Sequence, residues 1–517
     1  MRCLRVSFLF LFAAMCSPGQ DITEFEKKVT EFTLSNGLHF ILLERHEIPV
    51  VAFHIFVNSG SVDDPSGQTG MARMLERTAF KGTETIGSAS WPAEKKALDA
   101  IEEAMDRVDA EANKGPKADP ARVEMLRNQA RAANDAAPRS NQAGDYLRIF
   151  EENGATNRSA SASPDSTSIG YSLPSNRLEL WFLLESQRLL HPVFRDFYKE
   201  RDAQFTEYRG QNDTNPQGRL LGEFLAAAFK AHPYRNPVDG WPGDIQALRR
   251  STAREVFDRY YVPGNITMAL VGDVNPAEAK RLAERYFGPV PAKPLPPVIH
   301  TVEPPQDGPK TVVVESPGGP LLVVGYKRPN QYDKDDVALD VIQVLLSQGS
   351  AGMLNRDLVQ EKRLALQARA ISTFPSGRFP NLVMFMIIPA QGRTIEENQR
   401  GLEDMLQRFK TVPIDPQSLT RAKAQLRATF MRRIAVSDDA AGLLANYYTN
   451  YGDWRKMFAA MNELNKITAE TVQRAAINYL VATGRTTAYT VAPGQSSMPP
   501  PVPLRPQPAD RKAGGVQ

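Results

Sequence analysis

The stretch Gly70–Thr83, GMARMLERTAFKGT, decides how the rest of the chain is read. Met71, Met74, Leu75 and Thr78 recur at three- and four-residue spacing, which puts them on one face of a helix. Arg73, Glu76 and Arg77 form a charged set within one turn of the same helix. Upstream the period changes to the alternation of strands, in EFTLSNGLHFILLERH from Glu31 and PVVAFHIFVNSGS from Pro49. Asn36-Gly37 supplies the hairpin turn between the two short runs of the first segment. Strands followed by a helix with one apolar face open an α+β unit.

Downstream, residues 93–142 differ in kind. They hold nine basic and ten acidic residues, are rich in alanine, and are broken by Gly115-Pro116 and Asp119-Pro120. This pattern predicts two antiparallel charged helices, an inserted hairpin. A short helix (DYLRIFEENG), a small-residue strand (TNRSASASPDSTSIGYSL) and a long helix (SNRLELWFLLESQRLL) follow. A helix around Glu200 to Arg209, a strand ending in Gly-Asp (NITMALVGDV) and a last helix (AEAKRLAERYFG) complete the half. Eight prolines between Pro289 and Pro309 mark a stiff linker. The second half opens again with strands (KTVVVES, PLLVVGYKRP) and a helix (DDVALDVIQVLLSQ). A second helix (GMLNRDLVQEKRL) and a pair of strands around Phe374 to Ile388 come next. The order of elements repeats, so the chain divides into a leader (1–20), an N-terminal unit (21–290), a linker (291–309), a similar C-terminal unit (310–494) and a disordered Pro-rich tail (495–517).

Composition narrows the function. Of 517 residues, 42% are apolar and 23% charged, enough for large cores. Basic and acidic residues number 62 and 59, so nothing points to nucleic acid. Arg2 and Arg5 precede the apolar run Val6–Ala14 and the segment MCSPGQ, which reads as an export signal too short to span a bilayer. No later run is long enough to span one. Soluble export to a bacterial periplasm or the exterior is expected; a lipid anchor on Cys16 fits less well, because Met15 is bulky where a small residue is wanted. Cys3 and Cys16 are the only cysteines, so the mature chain has no disulfides or thiol ligands. No phosphate-binding glycine loop, GxSxG elbow or paired CxxC is present. The six histidines, His39, His46, His54, His191, His232 and His300, include no close pair on a helix and read as structural.

Gly70–Thr83 resembles the His-x-x-Glu-His region of the pitrilysin (insulinase) family of inverzincin metallopeptidases, which includes the mitochondrial processing peptidases. The glycine, alanine, leucine, glutamate and FKGT ending are shared, while Arg73 and Arg77 stand where the family has its two histidines. TLSNGLHFILLERHEIPVVAFHIFVNSGSVDDPSGQTG, GATNRSASASPDSTSIGYSLP, AFKAHPYRNPVDGWPGDI and YYVPGNITMALVGDV are similar to further family stretches, in the same order. The resemblance implies two homologous α/β-sandwich domains of the processing-peptidase type in a clamshell, with the helical hairpin inserted. In active members the two histidines and a distal glutamate hold Zn²⁺, and the motif glutamate activates water. Glu76 keeps the general-base position, and Glu200 and Glu207 match the distal carboxylates, Glu207 at the ligand position.

Arginine has no lone pair for a metal and stays protonated. The resemblance therefore implies a chain without metal or other cofactor, and Glu76 reads as an ion-pair residue of the helix surface before a catalytic one. The two arginines are expected to set fixed positive charge against Glu200 and Glu207. In Val359–Gln367, VQEKRLALQ, Gln360 and Gln367 match an arginine and a tyrosine that hold the substrate carbonyl in active members. Asn157, Arg158 and Ser159 fall on the edge strand that pairs with peptide in the family; Asn157 suits a turn equally, and Arg158 is expected to crowd the strand. The expected role is that of a non-catalytic subunit forming a chamber for peptide or unfolded polypeptide with a zinc-bearing homologous peptidase subunit, a contact the hairpin could serve. An active zinc metalloendopeptidase with an unusual ligand set, and a peptide-binding or scaffolding module, stay open.

Overall fold

The computed structural model describes residues 24–136, 145–213 and 215–494. The leader, the end of the hairpin segment and the Pro-rich tail read from the sequence lie outside them. In the first unit β1 (Val29–Thr33) turns at Asn36-Gly37 into β2 (His39–Glu44), followed by β3 (Val50–Val57) and α1 (Met71–Thr78). The charged segment forms α2 (Trp91–Ala112) and α3 (Pro120–Ala136), and α4 (Asp145–Glu152) follows. The single strand expected next is a hairpin, β4 (Thr156–Ala162) and β5 (Thr167–Pro174), because Pro164-Asp165 turns the chain. Then come α5 (Leu178–Leu190), α6 (Phe197–Asp213), α7 (Pro216–Ala228), α8 (Pro242–Ala247), α9 (Arg250–Tyr260), β6 (Ile266–Gly272) and α10 (Pro276–Phe287).

The second unit runs β7 (Lys310–Glu315), β8 (Leu322–Arg328), α11 (Asp336–Ser347), β9 (Ala365–Phe374) and β10 (Asn381–Pro389). It ends with α12 (Ile395–Thr411), α13 (Pro416–Ala435), α14 (Ser437–Tyr451), α15 (Lys456–Lys466), α16 (Ala469–Tyr479) and β11 (Arg485–Val491). The second helix expected from Gly352 is a wide π-helical turn over Asn355–Glu361. Leu358 and Leu364 pack so tightly on α12 that a Cβ at Gly401 would lie within 3.0 Å of each. This packing seats the turn against α12, and Arg363, at φ 50°, follows its end.

The two sheets share one plan. The first is ordered β1-β2-β6-β3-β5-β4 and the second β7-β11-β8-β10-β9. Setting β1 aside, both place their strands in the order first, last, second, fourth, third. In both, only the first and last strands pair in parallel. The molecule is thus two α+β sandwich units arranged as a clamshell, with β4 and β9 at equivalent open edges.

The central strands of each sheet are buried on both faces, and the second face is covered from across the molecule. Phe40 and Leu42 of β2 face Trp181 and Phe287 within the first unit. The alternate residues Ile41 and Leu43 face Ala441, Leu444 and Trp454 of the second unit. Reciprocally, α7 lays Leu220, Phe224 and Ala228 on Val323, Met384 and Ala488 of the second sheet. Gly325 makes the room: a Cβ there would lie 2.5 Å from Cζ of Phe224. Each fully buried side chain of this kind contributes about 1.5–3 kcal/mol.

The helical hairpin is anchored to the first unit. Arg195 pairs with Glu94 of α2 and donates to the Thr83 carbonyl at 3.0 Å, while Arg249 holds Asp106 at 2.6 Å and Glu102 at 3.2 Å. These acids are therefore used internally. The segment 291–309 has no helix or strand, and Glu303 in it accepts the backbone N–H groups of Lys230, Ala231 and His232 at 2.7–2.9 Å. Among the described residues no helix is long and apolar enough to cross a membrane.

Candidate functional site

Three contacts fix the start of α1. Asp64 accepts the N–H groups of Gly70 and Ala72, both at 2.8 Å, and so satisfies donors that Gly70 has no side chain to reach. Burial pushes the Asp64 carboxyl up to about 8 against those two donors. Gly70 has φ 93°, and a Cβ on it would lie 2.6 Å from the Asp239 carbonyl oxygen. At Gly240, φ 86°, a Cβ would lie 2.2 Å from the Thr69 oxygen. Only glycine permits this approach. Gln204 of α6 closes the seam, donating to the carbonyls of Asp239 at 2.9 Å and Gly70 at 3.2 Å.

The charged residues of α1 then meet acids across the seam. Arg77 donates from Nη1 to Glu207 Oε2 at 2.8 Å, and from Nη2 and Nε to Glu200 Oε2 at 2.8 and 3.1 Å. Lys81 holds the other Glu200 oxygen at 2.6 Å. Burial raises the Glu200 carboxyl, but Lys81 and Arg77 outweigh it and leave it below the ordinary value. Burial likewise opposes the Arg77 charge, and Glu207 and Glu200 more than restore it. Arg73 pairs with Glu76 at 2.6 Å and lies 3.6 Å from Asp239. Burial holds Glu76 above the usual carboxylate range in spite of both arginines, and does the same to Asp239.

Several expectations change here. Arg77 faces both distal acids, but Arg73 does not; it takes Glu76 and Asp239 instead. The Arg73–Glu76 pair has the i,i+3 spacing, yet the Glu76 side chain is only 11% exposed, so it is not a surface pair. Asn157 adopts φ 53° in a bulge of β4 and donates to Asp438 of α14 at 2.8 Å, which makes it a tie between the units. Arg158 does not crowd the strand: its guanidinium lies over the Phe80 ring, 5.7 Å from the centroid. Ser159 donates to the Gly170 carbonyl at 3.4 Å inside its own sheet. Gln360 on the π-helical turn and Gln367 on β9 are exposed on the second unit and take no part in these ion pairs. Asp64, Lys81 and Asp239 join the site without a catalytic signature of their own in the sequence. Lys81 stands in the FKGT ending itself, and the two aspartates sit in turn sequences, DDPSG and VDGWPG, where they read as turn formers.

The donor set does not fit zinc. Both α1 positions that would offer imidazole nitrogens carry guanidinium groups, one of them inserted between the two α6 carboxylates. Among the described residues no group of three His, Cys, Asp or Glu side chains is placed to hold a metal ion.

The comparisons agree with this geometry at the level of family and fold. The family described as insulinase (peptidase family M16) matches residues 40–111, and the peptidase M16 inactive domain matches 247–426. The chain belongs to this family, the pitrilysin or insulinase metallopeptidases. It is 25% identical to zinc protease PqqE of Helicobacter pylori over 474 residues, 88% of this chain and 91% of that protein. A solved protease from Helicobacter pylori shares the fold with a TM-score of 0.75 at 24% identity, over 90% of this chain and 99% of that one. The periplasmic protease PqqL from Escherichia coli matches at a TM-score of 0.65 and 15% identity, over 90% of this chain but 48% of its own.

Proposed function

We propose that this chain is an exported, non-catalytic member of the family, holds no zinc itself, and forms one half of a peptide-binding chamber completed by a zinc-bearing homologue. The observation that carries the reading is Arg77, whose guanidinium bridges Glu200 and Glu207 at 2.8 Å each and spends both carboxylates on an internal cation. The half-chamber reading is supported by the PqqL comparison, in which a fold like this one spans 48% of the longer chain. Export rests on the leader sequence. Elemental analysis after mild dialysis should find less than about 0.1 zinc per chain, against one for a filled site. The chain should not cleave an unfolded protein alone, and it should co-purify with a family member carrying both histidines. Near one zinc per chain would overturn the reading. The names of relatives such as zinc protease PqqE favour the alternative of an active protease. Under that alternative, Glu76→Gln would abolish cleavage.

A further inference from the structure

The bulge in β4 divides two neighbouring side chains. Asn157 turns to Asp438 on α14, and Arg158 turns the other way, onto Phe80 just after α1. There it borders an open cavity of about 280 Å³ lined by Arg77, Phe80, Lys81, Leu147, Arg158 and Glu200. The charges around it do not balance. Among the described residues Glu200 is the one acid of the lining, already shared by Arg77 and Lys81, and Arg77 also carries Glu207. Among the described residues no carboxylate pairs with Arg158. A guanidinium resting on an aromatic ring is held in place at low cost in entropy, and its planar fork suits a carboxylate. Beside it, β4 is the last strand of its sheet, and among the described residues no strand pairs with its outer edge, the edge to which an extended segment would add.

Resting on the peptide-binding reading above, we propose that this edge selects acidic peptides. An extended segment pairs with β4 and sends an Asp or Glu side chain into the cavity, where Arg158 takes its carboxylate. Lysine at that place meets three cations, and glutamine offers Arg158 a neutral acceptor, which forms a hydrogen bond but no ion pair and is the weaker partner. Arg158 is thus the specificity-determining residue of the edge.

The test uses three labelled nine-residue extended peptides that differ only at a central Glu, Gln or Lys, titrated into the full chain by fluorescence anisotropy. The Glu peptide is expected to bind about tenfold more tightly than the Gln peptide at low salt, as one charge-assisted bond gives. The advantage should shrink as salt rises. Arg158→Ala should bring the Glu to Gln ratio near one, weakening the Glu peptide far more than the Gln peptide, and Arg158→Glu should shift the preference to Lys. Equal binding of Glu and Gln peptides to the unaltered chain, or a Glu preference that survives Arg158→Ala, would overturn the assignment alone. Binding of none of the three up to millimolar concentration would overturn the peptide-binding reading itself, and the assignment with it.

Discussion

Arg77 shows what a single side chain can and cannot take over from a metal ion. A divalent cation between an α1 ligand and the α6 acids would draw the two helices together; Arg77 makes the same connection through three hydrogen bonds. It supplies no Lewis acidity and no coordinated water. Arg77→Ala leaves Glu200 to Lys81 alone and should lower stability to urea by about 1.5–3 kcal/mol, the worth of hydrogen bonds to charged groups. Arg77→His should fall in the same direction without creating proteolysis; an unmoved urea midpoint in both variants would refute the bridging role. The helix face and the arginines at the ligand positions were legible in the sequence. The partner of each arginine was not, since Arg73 and Arg77 sit one turn apart and the choice depends on where α6 and the Asp239 turn lie in space.

At the scale of elements, the seam between α1 and α6 depends on two glycines at positive φ whose missing Cβ atoms would overlap carbonyl oxygens. Gly70→Ala forces both a left-handed alanine and a contact at 2.6 Å, so equilibrium unfolding should show a loss of about 2–4 kcal/mol. Gly210→Ala, at a helical position where a Cβ meets nothing within 4 Å, should be neutral or stabilising by up to about 1 kcal/mol and serves as the control. Legibility here followed locality. The β1–β2 hairpin is written in Asn36-Gly37 and came through intact. The residues of Asn355–Glu361 favour a regular helix; the wide turn they form instead packs Leu358 against Gly401 of α12, a contact forty-three residues away in the chain that no local pattern announces. Likewise β4 and β5 read as one strand because small polar residues hide the turn at Pro164.

Across the whole molecule, three histidines of the first unit lie where it meets the second. The His39 ring stacks on Tyr448 with centroids 3.6 Å apart, His232 packs on Phe379 at 4.6 Å, and His54 lies 3.4 Å from where a Cβ of Gly442 would stand. Burial depresses all three from 6.5 to about 4, opposed by Glu31 at His39, by Asp438 at His54, and by Asp165 and Glu303 at His232, where Lys327 and Arg378 add to the depression. The native state therefore refuses protons that the unfolded chain accepts. Stability from these groups is complete above pH 6.5 and lost as pH falls through 4. Asp64 and Asp336, raised by burial to about 8 and about 6, act in the opposite sense. The difference between the unaltered chain and His232→Asn isolates the effect: urea midpoints of the two should converge from pH 7 to pH 4, and parallel profiles would exclude it.

The helices that cross between the sheets carry a further consequence. Parted at the Pro-rich segment, neither piece would keep a complete set of layers, because each would have left its cover with the other. Pieces ending and starting near residue 300 should aggregate when produced singly and yield a soluble one-to-one complex when produced together. Two products each soluble and monomeric would contradict this. In such a molecule the repeat cannot be undone by deletion: removing one copy strips the surviving copy of a wall.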